Sequence, residues 1–226
     1  MKAFLFAMAS ATLVAATLTP APAAVPNENL RGTVASATAD SLVVKTATGP
    51  VTVHLGAKVA FAGAVAGTTA DITPGKFLGI ASVPGGTINR ALEVVVFDDS
   101  MRGVGEGDYA WDLAAPQGHS AMTNGTMAGS HSTMTNGTVA TGKPHSTMTN
   151  ATVGAASGTA QKTITMNYKG GSRKLVVPAN APVVKIAPGT SALLVKGASV
   201  FVIATKTATP DAAFVVVAKD GVKLPM

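Results

Sequence analysis

Apolar and polar residues alternate with a period of two along much of the chain. Val51, Val53 and Leu55 share one parity, and Thr52 and His54 the other, after a Gly49-Pro50 turn. Such alternation predicts strands with one face buried. Gly32–Ser36 and Ser41–Thr46 read as strands for the same reason. Phe77-Leu78-Gly79-Ile80-Ala81-Ser82 follows a Thr73-Pro74-Gly75 turn, and Ala91–Phe97 follows Val83-Pro84-Gly85-Gly86. Helical i, i+3, i+4 spacing is nearly absent, and Pro, Gly and Thr interrupt the chain too often for long helices. The expected fold class is all-β.

The same order of landmarks then recurs roughly 120 residues later, a displacement that signals an internal duplication. Ala151-Thr152-Val153 answers Gly32-Thr33-Val34, and Lys174-Leu175-Val176 answers Val51-Thr52-Val53. Lys196-Gly197 answers Pro74-Gly75, and Ala212–Val217 answers Ala91–Val96. The expectation is two tandem copies of a small OB-like or SH3-like β-barrel, residues 30–100 and 148–222. Closing such a small sheet removes its exposed edges. A single β-sandwich built from both halves is the alternative. Residues 101–147 then form a flexible linker, first glycine-rich and acidic, then built of His/Met repeats.

Residues 1–23 have the form of a secretory signal peptide. Lys2 precedes an apolar run to about Leu18, and Ala21 and Ala23 fit a small-residue cleavage site. The run is too short, and too soon broken by Pro20, to span a membrane. The mature chain is therefore expected to be periplasmic or secreted, bacterial, and not membrane-spanning.

Composition sharpens this picture. Of the 47% hydrophobic residues, 41 are Ala and 27 are Val, while aromatics make up only 4%. Without cysteine there is no disulfide, thiolate metal cage or cysteine nucleophile. The formal charge of +6 is unevenly spread. Residues 24–112 carry 6 basic and 9 acidic side chains, whereas 113–226 carry 10 and 2.

The Gly32-Thr33-Val34, Leu42-Val43-Val44, Pro74-Gly75 and Val94-Val95-Val96 pattern continues through Met101–Leu113, Met148–Val153 and Tyr168-Lys169-Gly170-Gly171. In these segments the chain resembles a family of exported bacterial proteins built on OB-like barrels and catalogued as a domain of unknown function. The resemblance covers nearly all of the mature chain and implies fold and export, with no established chemistry. The chain departs from the family pattern in repeating its Met-Thr-Asn segment three times.

Those repeats carry the most pointed chemistry. Three of the four His and four of the nine Met fall within 119–148. H-x-x-M occurs at His119/Met122, His131/Met134 and His145/Met148, with Met127 between the first two. Imidazole and thioether suit soft ions such as Cu(I) or Ag(I), and three copies would gain from local concentration. The segment resembles the His/Met motifs of periplasmic copper- and silver-binding proteins at the level of H-x-x-M. The competing reading is a polar spacer, its first two copies being duplications of the entrance to the second barrel. Asn124, Asn136 and Asn150 also head N-x-T sequons, read as incidental in a bacterial protein.

Other features point to structure. Asp98, Asp99, Glu106, Asp108 and Asp112 read as solvated linker, and Gly103, Gly105 and Gly107 as a flexible turn. Tyr109 and Trp111 are expected to plug the interface between barrels, and His54 to lie on the surface. Lys162, Lys169, Arg173, Lys174, Lys185 and Lys196 could offer an anionic surface or polymer a basic face on the second barrel. Nucleic acid is not expected, since Tyr168 is the lone aromatic in that stretch. No catalytic frame is present. The sequence thus reads as an exported, non-enzymatic binding or structural module without a cofactor, with soft-metal binding as the alternative.

Overall fold

Val53 and Leu55 are buried while Thr52 and His54 stand in solvent, so the alternation around the Gly49-Pro50 turn folds as a half-buried strand. The computed structural model describes residues 27–85, 88–113, 146–159 and 161–224, and these are all-β. Thirteen strands follow in order: β1 (Asn27–Ala37), β2 (Ser41–Thr46), β3 (Gly49–His54), β4 (Ala60–Ala66), β5 (Phe77–Val83), β6 (Asn89–Phe97), β7 (Gly107–Trp111), β8 (Ser146–Ser157), β9 (Lys162–Tyr168), β10 (Gly171–Val177), β11 (Val183–Pro188), β12 (Ser199–Thr205) and β13 (Ala212–Ala218). Short 3-10 turns stand at Thr69–Asp71, Asp99–Met101 and Ser191–Leu193. Among the described residues, no helix is long and apolar enough to cross a membrane. The expected signal peptide and its cleavage site lie outside the described residues.

Strands β8, β9 and β10 form an antiparallel meander; β8 also pairs with β5, and β5 with β6. A parallel contact of Leu175 and Val176 with Asn89 and Arg90 joins β10 to β6 and closes a five-stranded barrel. The other half repeats the arrangement. There β3, β2 and β1 form the meander, β1 pairs with β12, and β12 with β13. The ends of this second set meet at one parallel bridge, His54 to Asp211, where the His54 N–H donates to Pro210 O at 2.8 Å.

The pairing combines strands from both halves of the chain in each set. Strands β5 and β6, within 30–100, complete the set formed by β8–β10, while β12 and β13, within 148–222, complete that of β1–β3. Each half donates its last hairpin to the other. The two sets are built alike, a three-stranded meander whose first strand in the chain pairs with a hairpin from the other half. This is an exchange of like elements, as in domain swapping. Strands β4 and β11 lie at the junction. They pair antiparallel with each other, and each pairs in parallel with a donated strand, β4 with β13 and β11 with β6.

Three apolar cores result. One fills the closed barrel around Ile80, Val94, Ile164, Met166 and Leu175. A second fills the other set around Leu42, Val44, Val53, Val202 and Val215. The third lies between them and holds Phe77, Val95, Phe97, Ile186, Phe201 and Val216. This third core explains why the donated strands do not alternate. Every residue from Phe77 to Ser82 is buried, because one face of β5 looks into the barrel and the other into the interface. Buried on both faces, such strands read as continuous apolar runs. Each fully buried Val, Leu or Phe contributes roughly 1.5–3 kcal/mol of transfer free energy.

Candidate functional site: an aromatic pocket between the strand sets

Residues 107–111, expected within a linker, form β7 and pair antiparallel with the start of β8, Tyr109 opposite Met148 and Trp111 opposite Ser146. Alternation along β7 sends Tyr109 and Trp111 toward the third core and Asp108 the other way. Asp108 accepts from Thr149 Oγ1 at 2.7 Å and forms an ion pair with Arg173. The acidic residues expected to be solvated linker are thus largely engaged in fixed bonds. Asp98 caps the 3-10 turn by accepting from the Ser100 N–H at 3.0 Å. Asp99 meets Lys76 at 2.9 Å and Arg102 at 3.2 Å, and Glu106 accepts from the Lys169 backbone N–H at 2.8 Å. The glycine-rich turn becomes a tethered strap from Arg102 to Gly107, leading into β7.

Under this strap lies a cavity of about 80 Å³. Eight of the aromatic residues are described, and five of them line it: Phe97, Tyr109, Trp111, Phe201 and Phe214. In a chain so poor in aromatics this convergence singles the place out. Trp111 packs on Phe201 with ring centroids 5.9 Å apart and on Tyr109 at 6.2 Å. Val104 and Tyr109, 43% and 40% exposed, stand at the mouth and carry apolar surface out to solvent. Burial holds the Tyr109 hydroxyl above its ordinary pKa.

Two glycines shape the cavity. A Cβ on Gly79 would stand 2.5 Å from Asn150 Oδ1 and 3.1 Å from the Phe97 ring, so only glycine lets the amide approach. Gly105 has φ +60°, and a Cβ there would meet Asn150 Nδ2 at 3.0 Å. Asn150 is 7% exposed and donates through Nδ2 to Tyr109 Oη at 3.1 Å, while its Oδ1 has no partner among the described residues. The buried Trp111 Nε1 likewise has none. An unpaired buried polar group costs about 1–3 kcal/mol.

A charged cluster closes one end. Arg31 of β1 lays its guanidinium over Phe201 and Trp111, 5.3 and 6.0 Å from the ring centres. Its two terminal nitrogens bond the Asp112 carboxylate at 2.7 and 2.9 Å. Burial alone would raise Asp112, but the bonds from Arg31 and Asn29 outweigh it and hold the carboxyl below its usual range. Glu93, two residues before Val95 and on the same face of β6, is fully buried, and neither of its oxygens has a partner among the described residues. Burial pushes it up to about 7, with Arg31 pulling down and Asp112 pushing up. Sequence reasoning passed over Glu93. Its signal was a lone acid inside the apolar run Ala91–Phe97.

Among the expected soft-metal ligands, His119, Met122, Met127, His131, Met134 and His145 lie outside the described residues. Met148 is buried in β8, 4% exposed, and forms part of the pocket wall. Sequon residue Asn150 sits in the same wall. Several of the six basic residues expected on a common face are held by other groups. Lys196 adjoins Gly197, which bonds to Val34 of β1, while Arg173, Lys185 and Lys162 are engaged by Asp108, Asp71 and the Ile72 carbonyl. His54 is exposed, as expected, and bonds Asp211 through Nδ1 at 2.8 Å. A larger open groove, about 740 Å³, runs past Lys76, Lys185, Asp71 and Asp99. Its lysines and carboxylates partly neutralise one another, Lys76 with Asp99 and Lys185 with Asp71.

A scan against family models and searches of curated proteins and of solved structures return no match to the chain.

Proposed function

We propose that this protein is an exported, non-enzymatic binding module that takes a small apolar part of its ligand into the aromatic pocket beneath the glycine strap. One observation carries the reading: five of the eight described aromatics converge on a single cavity whose mouth residues, Val104 and Tyr109, remain exposed. Apolar, mostly preformed concavities with a few polar groups are the usual form of ligand sites. The signal-peptide pattern at 1–23 supports export. The duplicated sequence supports two barrel units exchanging hairpins, with the pocket in the seam this creates.

The chain's lone tryptophan lines the pocket, so occupancy reports on itself. Titration with isobutanol, a probe of suitable size, should change Trp111 emission saturably. The change should vanish in Gly79→Ala, which narrows the cavity, once that variant's folded spectrum has been checked. An unsaturable response identical in both proteins would sink the reading.

The alternative, Cu(I) or Ag(I) binding, rests on the three H-x-x-M repeats. Its third copy would have to draw Met148 out of the pocket wall, or bind through His145 without it. Competition against a Cu(I) chelator, with and without joint replacement of His119, His131 and His145 by Ala, separates the two functions. Equal competition by both proteins would remove the repeats from consideration.

A further inference from the structure

Strand β3 ends its sheet with a free edge. Among the described residues it pairs along its length with β2 alone, and its other side meets the chain at the bridge from His54 to Asp211. Neighbouring residues of an antiparallel strand send their backbone groups to opposite sides. Leu55, just past β3, donates its N–H toward the β2 side, to Asp40 O at 2.7 Å, and His54 donates away from it, to Pro210 O at 2.8 Å. Thr52 therefore points the same way as His54, and neither its N–H nor its carbonyl has a partner on that side among the described residues. Pro50, of the same parity, adds a carbonyl and no N–H. Unpaired edge groups of this kind are a template for another strand. A proline on the edge keeps such pairing short.

An open groove of about 650 Å³ runs along this edge, between β3 and residues 207–210. Its charged lining is acidic. Among the described residues no lysine or arginine lines it, and its carboxylates, Glu28 and Asp40, enter no ion pair. Thr38 Oγ1 donates to Asp40 at 2.7 Å, which holds that carboxyl below its ordinary range. Along β3, Thr52 and His54 face solvent, while half-buried Val51 leans on the core of this set. A strand laid beside β3 would continue the alternation. Side chains on its outer face would meet the carboxylates, and those on its inner face would cover Val51.

We propose that the open edge of β3 binds a short extended peptide in which basic and apolar residues alternate. Its backbone bonds Thr52, its lysine or arginine side chains lie against Glu28 and Asp40, and its apolar side chains extend the core past Val51. Strand addition of this kind draws affinity from main-chain bonds and specificity from alternate side chains. The site shares no lining residue with the aromatic pocket and stands independently of it.

The test uses the whole protein with an acetylated, amidated hexapeptide alternating valine and lysine. One counterpart replaces lysine by glutamate. Another carries a methyl on every backbone nitrogen and can donate no backbone bond. Binding is read by calorimetry and by hydrogen exchange at the Thr52 amide. The lysine peptide should bind at least about tenfold tighter than either counterpart, through charge repulsion in one and lost hydrogen bonds in the other. It should slow exchange at Thr52 and weaken with added salt. Thr52→Pro removes the outward donor at an edge position, where proline is tolerated. That variant, and Glu28→Gln combined with Asp40→Asn, should each lose about tenfold in affinity for the lysine peptide. The methylated peptide asks the same of the parent protein should Thr52→Pro not fold. Equal binding of the methylated peptide would reduce the site to charge attraction and overturn the inference. So would undiminished binding by a folded variant, no binding, or an unchanged Thr52 exchange rate. Thr52 protection that grows with protein concentration alone would assign the edge to a second copy of the chain and overturn it as well.

Discussion

Arg31 and Asp112 are joined by a two-pronged ion pair, Nη2 to Oδ1 at 2.7 Å and Nη1 to Oδ2 at 2.9 Å, that ties β1 to the end of β7. This one contact links the two strand sets, closes the seam beside Trp111 and faces buried Glu93. Both side chains keep partial contact with solvent, 30% and 49%, so the charge pair alone is worth less than about 1 kcal/mol. The guanidinium also covers two aromatic rings, which adds packing and cation–π stabilisation. Arg31→Ala should therefore lower the urea-unfolding free energy by about 1–2 kcal/mol, and Asp112→Asn by less. A larger loss in Asp112→Asn than in Arg31→Ala would show that the carboxylate, and not the covering of the rings, dominates.

Glu93 gives the stability of the protein a pH dependence with a definite sign. Its carboxyl is raised from 4.5 to about 7 by burial. Below the lower value both folded and unfolded states hold the proton, so there is no penalty. Between the two values the unfolded chain releases its proton while the folded state keeps it, and stability falls as pH rises. The loss reaches roughly 3 kcal/mol and levels off above the folded pKa. Glu93→Gln should match the parent at acid pH and be the more stable protein at pH 8. Arg31→Ala should carry the fall to higher pH, because Arg31 holds the carboxyl down. Parallel unfolding curves for parent and Glu93→Gln across this range would refute the assignment.

The exchanged hairpins predict an unusual response to cutting. A protease site engineered between residues 113 and 146 should yield two pieces that remain one particle on size exclusion, because each barrel-like set contains strands from both. They should separate only in denaturant. Fragments that part under native conditions would mean that each half completes its own set.

Two glycines should tolerate substitution unequally. A Cβ on Gly32 would run into the Lys45 carbonyl, a backbone group of the neighbouring strand β2. Gly32→Ala should lose more than about 2 kcal/mol, since neither strand has room to move. At Gly79 the first contact is the Asn150 side chain, which can give. Gly79→Ala should stay folded with a smaller loss, its effect appearing in ligand binding. Comparable thermal midpoints for the two variants would contradict this ordering.

Much of the strand layout is legible in the residues. Alternation places β2 and β3 with Leu42, Val44 and Val53 inward, and Lys174-Leu175-Val176 marks β10. The continuous runs at Phe77–Ala81, Val94–Phe97, Val200–Val202 and Val215–Val217 carry a further message that alternation alone does not deliver: burial on both faces, hence an interface. The site was less legible. Tyr109 and Trp111 stood in what reads as a glycine-rich, acidic linker. Only pairing with β8, and the bonds of Glu106 and Asp108 to the β9–β10 hairpin and strand β10, turn that segment into a wall.

What the sequence by itself determined was the all-β class and the positions of the strands with the clearest alternation or the longest apolar runs. Side-chain periodicity is local, and a two-residue period survives wherever the strand is placed. What only the tertiary structure decided was which hairpin completes which set. Two meanders with similar open edges make nearly equal partners for a hairpin, so the choice falls to the connections through β4 and β11 and to the burial gained between the sets. That choice brings Phe201 and Phe214 of β12 and β13 against Phe97, Tyr109 and Trp111 from the other half, and so creates a pocket contained in neither half of the chain alone.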